Sequence, residues 1–270
     1  RASTAMRGAS IPQRGVSLVP STTETVCVLG AADRLVGCTR YCTDPEPALR
    51  SVPRIGGTKN PDLEAVLALA PDLVLANAEE NRAEDLEALA RRVPVLVQTP
   101  RTLGEAAHEL RVLAERLSLG DAALPFLLRL EANLAAVQVD ALQRPPLRVY
   151  YAIWRKPWMT VSGDTFVGDV LRRVGAVNIA EREAARYPDL SPAEARARGV
   201  DVVLLASEPW EFDAEQRREI AASGAFGDAE VRLCDGRDFC WHGVRMADGL
   251  ARARAVVAAP ADSSRSGATG

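Results

Sequence analysis

The stretch Leu124-Pro125-Phe126-Leu127-Leu128-Arg129-Leu130-Glu131-Ala132-Asn133-Leu134-Ala135-Ala136-Val137-Gln138-Val139-Asp140-Ala141-Leu142 decides how the rest of the chain is read. Leu127, Leu130, Leu134, Val137 and Ala141 recur at alternating spacings of three and four, the stripe of a helix of about five turns. Neither glycine nor proline interrupts it after Pro125. A helix that crosses between two strands of a βαβ unit finishes within about 10–15 residues. This one runs on to Pro145-Pro146, so residues 120–144 are expected to form a stiff spacer between two lobes. An ordinary long crossover helix is the alternative.

On either side of the spacer the chain reads alike. The first half runs through a short strand at Val16 to Val19, an apolar helix, the turn-and-helix segment Asn60-Pro61-Asp62-Leu63-Glu64, and a strand entered by Pro71-Asp72-Leu73-Val74-Leu75. The second runs through Arg148 to Ile153, a helix from about Thr165 to Arg173, then Tyr187-Pro188-Asp189-Leu190 and Val200-Asp201-Val202-Val203-Leu204. A repeated order of elements is what a duplicated lobe leaves behind. The expected fold is therefore α/β: an N-terminal lobe (14–119) and a C-terminal lobe (145–259), with 1–13 and 260–270 as flexible tails. Helix starts are marked chemically. Ser21-Thr22-Thr23-Glu24 and Ser191-Pro192-Ala193-Glu194 read as capping boxes, and Asn60 as a cap with Pro61 in the first helical position.

Composition excludes several classes. The 270 residues are 47% hydrophobic and 26% charged, with a formal net charge of -3, which supplies core material for two domains. No concentrated basic surface recommends a nucleic-acid partner. No uninterrupted apolar run reaches the roughly 20 residues of a bilayer span. Arg1 to Gly15 lacks the apolar centre of a signal peptide, and the chain opens on arginine rather than methionine, which fits either removal of a leader or a start set within a longer sequence. Of five cysteines, Cys27 falls in an apolar helical segment and is read as core. Cys38 and Cys42 form a C-x3-C pair that could ligate a metal but has no second pair beside it. Cys234 and Cys240 flank a turn where a disulfide could close in an oxidising compartment.

No G-x-S-x-G, Walker, H-E-x-x-H or G-x-G-x-x-G pattern occurs, and no catalytic residue is assigned. Of the two histidines, His108 lies on a charged helix and is read as a bystander, whereas His242, in the loop Cys240-Trp241-His242-Gly243, is the candidate metal ligand. The second half also gathers aromatics at strand ends and loops: Tyr150, Tyr151, Trp154, Trp158, Tyr187, Trp210 and Trp241. Strand alternation explains one of Tyr150 and Tyr151 as core. It does not explain Trp154 and Trp158, which flank Arg155-Lys156-Pro157; loops at the carboxyl ends of parallel strands converge on a ligand, and rigid rings there grip a large, flat one. Ser21, Thr22 and Thr23, at a helix start, could bind carbonyl or anionic ligand groups.

The segments Val16-Ser17-Leu18-Val19-Pro20-Ser21-Thr22-Thr23-Glu24, Gly37-Cys38-Thr39-Arg40-Tyr41 to Pro45, Gly56-Gly57 and Asn60 to Leu75 carry a pattern that resembles the backbone-helix periplasmic binding proteins, the helical-backbone metal receptors of class III. The resemblance spans nearly all of Arg14 to Ala258 and is most similar to the cobalamin receptors. It implies two Rossmann-like lobes, no enzyme activity and no catalytic cofactor, cobalamin or a related corrinoid bound in the interlobe cleft, and a monomer that docks on the permease dimer of an ABC importer. The location implied is periplasmic or membrane-anchored outside the cell. An iron siderophore or haem receptor, or a cytoplasmic corrinoid-binding protein, is the alternative. By position, Tyr41 and Tyr187 match cleft aromatics, Arg245 matches an arginine before the last helix, and Thr58 stands where the receptors have a tryptophan. Glu64 matches an acidic docking residue; in the second lobe that register falls on Ala193, with Glu194 one place on and rotated by about 100°.

Overall fold

A computed structural model describes residues 10–259; of the flexible tails expected at 1–13 and 260–270, residues 1–9 and 260–270 lie outside the described residues. The chain divides into two compact units, one holding 10–100, 104–127 and 242–244, the other 101–103, 128–241 and 245–259.

The first unit carries β1 (Gly15–Ser17), α1 (Pro20–Val28), β2 (Leu35–Cys38), α2 (Glu46–Leu49), α3 (Leu63–Ala68), β3 (Leu73–Asn77), α4 (Ala83–Ala90) and β4 (Val95–Gln98), followed by α5 (Leu103–Arg116). Its four strands are parallel, in the order β2-β1-β3-β4. Every residue of β3 is buried, as a strand covered on both faces requires. Alternation divides its side chains: Val74 and Ala76 join Val16, Leu18, Ile55 and Leu89 on one face, while Leu73 and Leu75 join Val26, Leu35, Leu49 and Leu113 on the other. Each of the buried Val, Leu and Ile side chains contributes about 1.5–3 kcal/mol.

The second unit carries β5 (Arg148–Ala152), the antiparallel pair β6 (Trp154–Arg155) and β7 (Trp158–Met159), α7 (Phe166–Arg173), β8 (Val177–Asn178), α8 (Pro192–Ala197), β9 (Val202–Ala206), α9 (Ala214–Ala222), β10 (Glu230–Cys234), α10 (Arg237–Cys240) and α11 (Met246–Ala258). Its main sheet is parallel in the order β8-β5-β9-β10. In each unit the main-sheet strands, numbered along the chain, therefore lie second, first, third, fourth. The repeat expected from sequence is present as topology. Tyr150 and Tyr151 point to opposite faces of β5 and both are buried, Tyr150 against Phe226 and Tyr151 against Phe239, so alternation hides both rings rather than one.

The chain passes from one unit to the other within α6 (Gly120–Ala141), a long helix that links two α/β lobes. Leu127, Leu130 and Val137 of its stripe are buried. By length and composition α6 is apolar enough to cross a bilayer, contrary to the expectation from uninterrupted runs. Here Arg129 instead pairs with Asp248 at 3.0 Å, and Asp140 with Arg254 at 2.6 Å.

Two expected caps differ. Val19, not Ser21, precedes the first turn of α1, and no side chain caps it, because Pro20 already occupies the first helical position. Asp62, not Asn60, caps α3 by accepting from Ala65 N–H at 3.0 Å, since Pro61 is held in an antiparallel bridge with Gly56. The Ser191–Glu194 box forms as expected.

Candidate functional site

In an open parallel sheet, ligand crevices open at the carboxyl ends of strands where the winding reverses. In both units that point lies between the first strand and the third.

In the first unit it is occupied from within. His242 is 5% exposed, and its Nε2 lies 3.4 Å from Ser21 Oγ and 3.3 Å from Asn77 Nδ2, joining the start of α1 to the end of β3. Val244 N–H donates to Thr25 Oγ1 at 3.3 Å. Burial pushes the imidazole down to about 4, against a smaller upward pull from Glu79, so it is neutral at pH 7. The imidazole expected to coordinate metal is thus engaged through Nε2 with two side chains of its own unit.

The three hydroxyl residues at the start of α1 face inward too. Thr22 donates to Gln98 Oε1 at 3.0 Å, and Thr23 sits within 2.8 Å of both Ser17 Oγ and Val19 O. All three are buried, so the exposed helix-start donors expected from sequence are used for folding. Tyr41 is open at 53% exposure. Arg40 lies 5.1 Å from the centre of its ring, and Gly57 packs close beside it, where an added Cβ would stand 3.3 Å from the ring edge. Thr58 contributes its carbonyl to Asn81 Nδ2 at 2.9 Å. Glu64 is exposed in the first turn of α3.

In the second unit the corresponding point carries aromatic surface. Trp154 follows β5 and Trp210 follows β9, and their rings meet edge to face with centroids 4.8 Å apart. Trp210 also packs on Phe212, and its Nε1 is buried with no hydrogen-bond partner among the described residues. Trp158 was expected at the ligand wall with Trp154. The structure seats it against the core, stacked on Phe212 at 6.1 Å and edge-on to Phe226 at 5.2 Å, because β7 turns it back over the sheet.

Trp241 is buried, with the guanidinium carbons of Arg245 and Arg237 at 5.2 and 5.8 Å from its ring centre. Its Nε1 donates to Glu208 Oε2 at 2.8 Å. Glu208, between β9 and Trp210, escaped the sequence reading; burial holds its carboxyl above the usual range, against the pull of Trp241 and Arg237. Arg245 pairs with Asp238 at 3.3 Å. Tyr187 is 40% exposed, with Arg186 5.8 Å from its ring centre. Glu194 closes its own capping box, accepting from Ser191 N–H at 2.8 Å and Oγ–H at 2.6 Å, contacts that hold its carboxyl below the usual range. Asn77 also escaped notice; a polar residue ending an apolar strand was its only signal.

These features can be set beside known proteins. The family described as periplasmic binding protein matches residues 16–229. The vitamin B12-binding protein of Vibrio campbellii is 27% identical over 216 residues, 78% of each chain. That of Pectobacterium atrosepticum is 28% identical over 202 residues, 73% of this chain and 72% of its own. Among solved structures, a periplasmic haem-binding protein from Pseudomonas aeruginosa shares 26% identity with a TM-score of 0.78, covering 93% of this chain and 94% of its own. The periplasmic vitamin B12-binding protein of Vibrio cholerae has the same TM-score at 21% identity, covering 92% and 97%, and shows the shared fold. With its matched family, two α/β lobes and linking helix, this chain belongs to the periplasmic binding proteins, as a non-catalytic, periplasmic receptor of the ABC-importer type.

Proposed function

We propose that the chain captures cobalamin or a related corrinoid and delivers it to an ABC importer. The observation that carries this reading is the Trp154–Trp210 pair at the switch point of the second sheet, with the Trp241–Glu208 contact in the same unit. Rigid rings hold a broad macrocycle at small entropic cost, and the unpartnered Trp210 Nε1 and the Glu208 carboxyl offer a donor and an acceptor to polar substituents. The B12-binding relatives support the same ligand class. Tyr41, Thr58, Tyr187 and Arg245 belong to the proposed binding set, whereas Ser21, Thr22, Thr23 and Trp158 support it from behind. His242 stays on Ser21 and Asn77, and the corrinoid is held without an axial bond from the protein.

For delivery, Glu64 on α3 and Glu194 on α8 are the proposed permease contacts. Each sits in the first turn of the helix preceding the third main strand of its sheet.

Haem is the second reading, favoured by the Pseudomonas aeruginosa relative and by Tyr41, an exposed phenol of the kind that ligates haem iron. Titration with cyanocobalamin, followed by tryptophan emission, is expected to saturate at one equivalent and to weaken at least tenfold in Trp154→Ala. No saturation at millimolar cobalamin, with hemin binding that Tyr41→Phe abolishes, would replace the corrinoid reading with the haem one. In the cobalamin complex, His242→Ala is expected to leave the visible bands unmoved.

A further inference from the structure

Two of the 33 lysine and arginine residues are lysines, Lys59 and Lys156. Lys59 donates to the carbonyl of Glu79. Lys156 stands at the tip of the hairpin made by β6 and β7, in which Trp154 faces Met159 and Arg155 faces Trp158. That hairpin is fastened at three points. Trp158 stacks on Phe212 while its carbonyl accepts from Leu190 N–H at 2.9 Å, and Ile153 N–H donates to Met159 O at 3.1 Å. Arg155 forks onto both oxygens of Glu219 at 2.7 and 3.1 Å. The backbone of Lys156 is held as well, its carbonyl accepting from Trp154 Nε1 at 3.2 Å. Its side chain is exposed and makes no hydrogen bond or ion pair among the described residues. Glu219, whose carboxylate feels its charge, is already neutralised by Arg155.

From Lys156 a continuous strip leads through the second unit's candidate site. Trp154 is bonded to the Lys156 carbonyl, and its ring meets that of Trp210 with centroids 4.8 Å apart. The two rings are apolar surface, and the polar groups the strip leaves unsatisfied, the Lys156 ammonium and the buried Trp210 Nε1, are both donors. Such a strip suits a flat ligand with an anion at its edge. A lysine ammonium binds phosphate as a compact point charge, and a complete cobalamin carries one phosphodiester, in its nucleotide loop. We propose that Lys156 is a specificity-determining residue whose ammonium pairs with that phosphodiester while the corrin ring lies on Trp154 and Trp210. The assignment rests on the corrinoid reading above and adds to it a preference for complete cobalamins over corrinoids that lack the loop. Because the hairpin already fixes the Lys156 backbone, only its side chain is ordered on binding, which keeps the cost of the contact small. The contact stays near solvent, so the preference it gives is about five- to tenfold.

The test uses the whole chain and two probes, cyanocobalamin and dicyanocobinamide, a corrinoid without the nucleotide and its phosphate. Titrations followed by tryptophan emission are expected to show cyanocobalamin bound about five- to tenfold more tightly than dicyanocobinamide. Lys156→Gln should remove that margin by weakening cyanocobalamin alone, and Lys156→Arg should keep it. High salt should narrow the margin in wild type and leave Lys156→Gln unchanged. Because the chain has only two lysines, reductive methylation reads the contact directly. Trypsin leaves the Lys156-Pro157 bond intact, so Lys156 is followed in the peptide Lys156–Arg172. Cyanocobalamin should slow its methylation, and dicyanocobinamide should not. Equal weakening of both corrinoids by Lys156→Gln, weakening of neither, or equal protection of Lys156 by both would each overturn the assignment and leave the corrinoid reading standing. Failure of the wild type to bind cyanocobalamin would overturn that reading and the assignment with it. The Lys156 side chain holds no other group of its unit, so equal denaturation midpoints for wild type and Lys156→Gln are expected, and the methylation arm decides on wild type alone.

Discussion

The return of residues 242–244 to the first unit turns on Gly243. Its φ is +92°, and a Cβ there would stand 2.0 Å from Thr25 Oγ1 and 3.3 Å from Thr25 Cβ. Thr25 has no room to yield, since its hydroxyl donates to Ser21 O at 2.9 Å while accepting from Val244 N–H. Gly243→Ala therefore combines backbone strain of about 1–3 kcal/mol with overpacking of about 1–3 kcal/mol. We expect the first unit to lose about 2–6 kcal/mol in all. Thr25→Ala removes the clashing oxygen, so the double variant should recover the overpacking share of about 1–3 kcal/mol and retain the strain. Guanidinium denaturation gives the totals, and hydrogen exchange at the β1 and β3 amides locates the loss. A cost for Gly243→Ala below about 0.5 kcal/mol, or single-variant costs that simply add in the double, would refute this docking.

His242 supplies a pH dependence. Its folded-state value of about 4 lies below the ordinary 6.5, so between them the unfolded chain binds the extra proton and stability falls as pH drops. From pH 7.5 to 5 the loss attributable to His242 should be about 2 kcal/mol, absent in His242→Gln; parallel pH profiles for the two proteins would refute it. Asp169 is buried, accepting from Leu103 N–H at 2.9 Å and pairing with Arg172 at 2.7 Å. Because Arg172 is half exposed, Asp169→Ala should cost about 2–3 kcal/mol rather than the full cost of a buried ion pair, read from denaturation midpoints. Trp158→Ala should cost about 3 kcal/mol through lost ring packing, whereas Trp154→Ala should change stability little and ligand affinity strongly. Equal stability costs for the two would contradict the placement of Trp158 in the core.

The repeated sheets were legible because their cause is local. A buried parallel strand has to be a short apolar run, and Leu73-Val74-Leu75 and Val202-Val203-Leu204 are such runs. The linking helix was legible for the same reason, its stripe being a matter of period. Caps were legible only where no competing residue intervened: Ser191 keeps its box, while Pro20 and Asp62 displace Ser21 and Asn60. The site was read less well. Whether a tryptophan lines a ligand or fills a core depends on which way a strand pair turns it, and neither Trp154 nor Trp158 records that turn in its neighbours. Asn77 and Glu208 went unnoticed because their importance comes from His242 and Trp241, residues 165 and 33 positions away.

The long reach of His242 has a consequence for the order in which the protein is made. A chain emerging from its amino terminus presents all four strands of the first sheet by Gln98, yet the imidazole that joins Ser21 to Asn77 arrives only after the second sheet has been synthesised. Until then, two polar side chains at the mouth of the first sheet lack their shared partner. The nascent first unit is therefore held one contact short of completion, and its last fastening waits until every strand of the second sheet has been made.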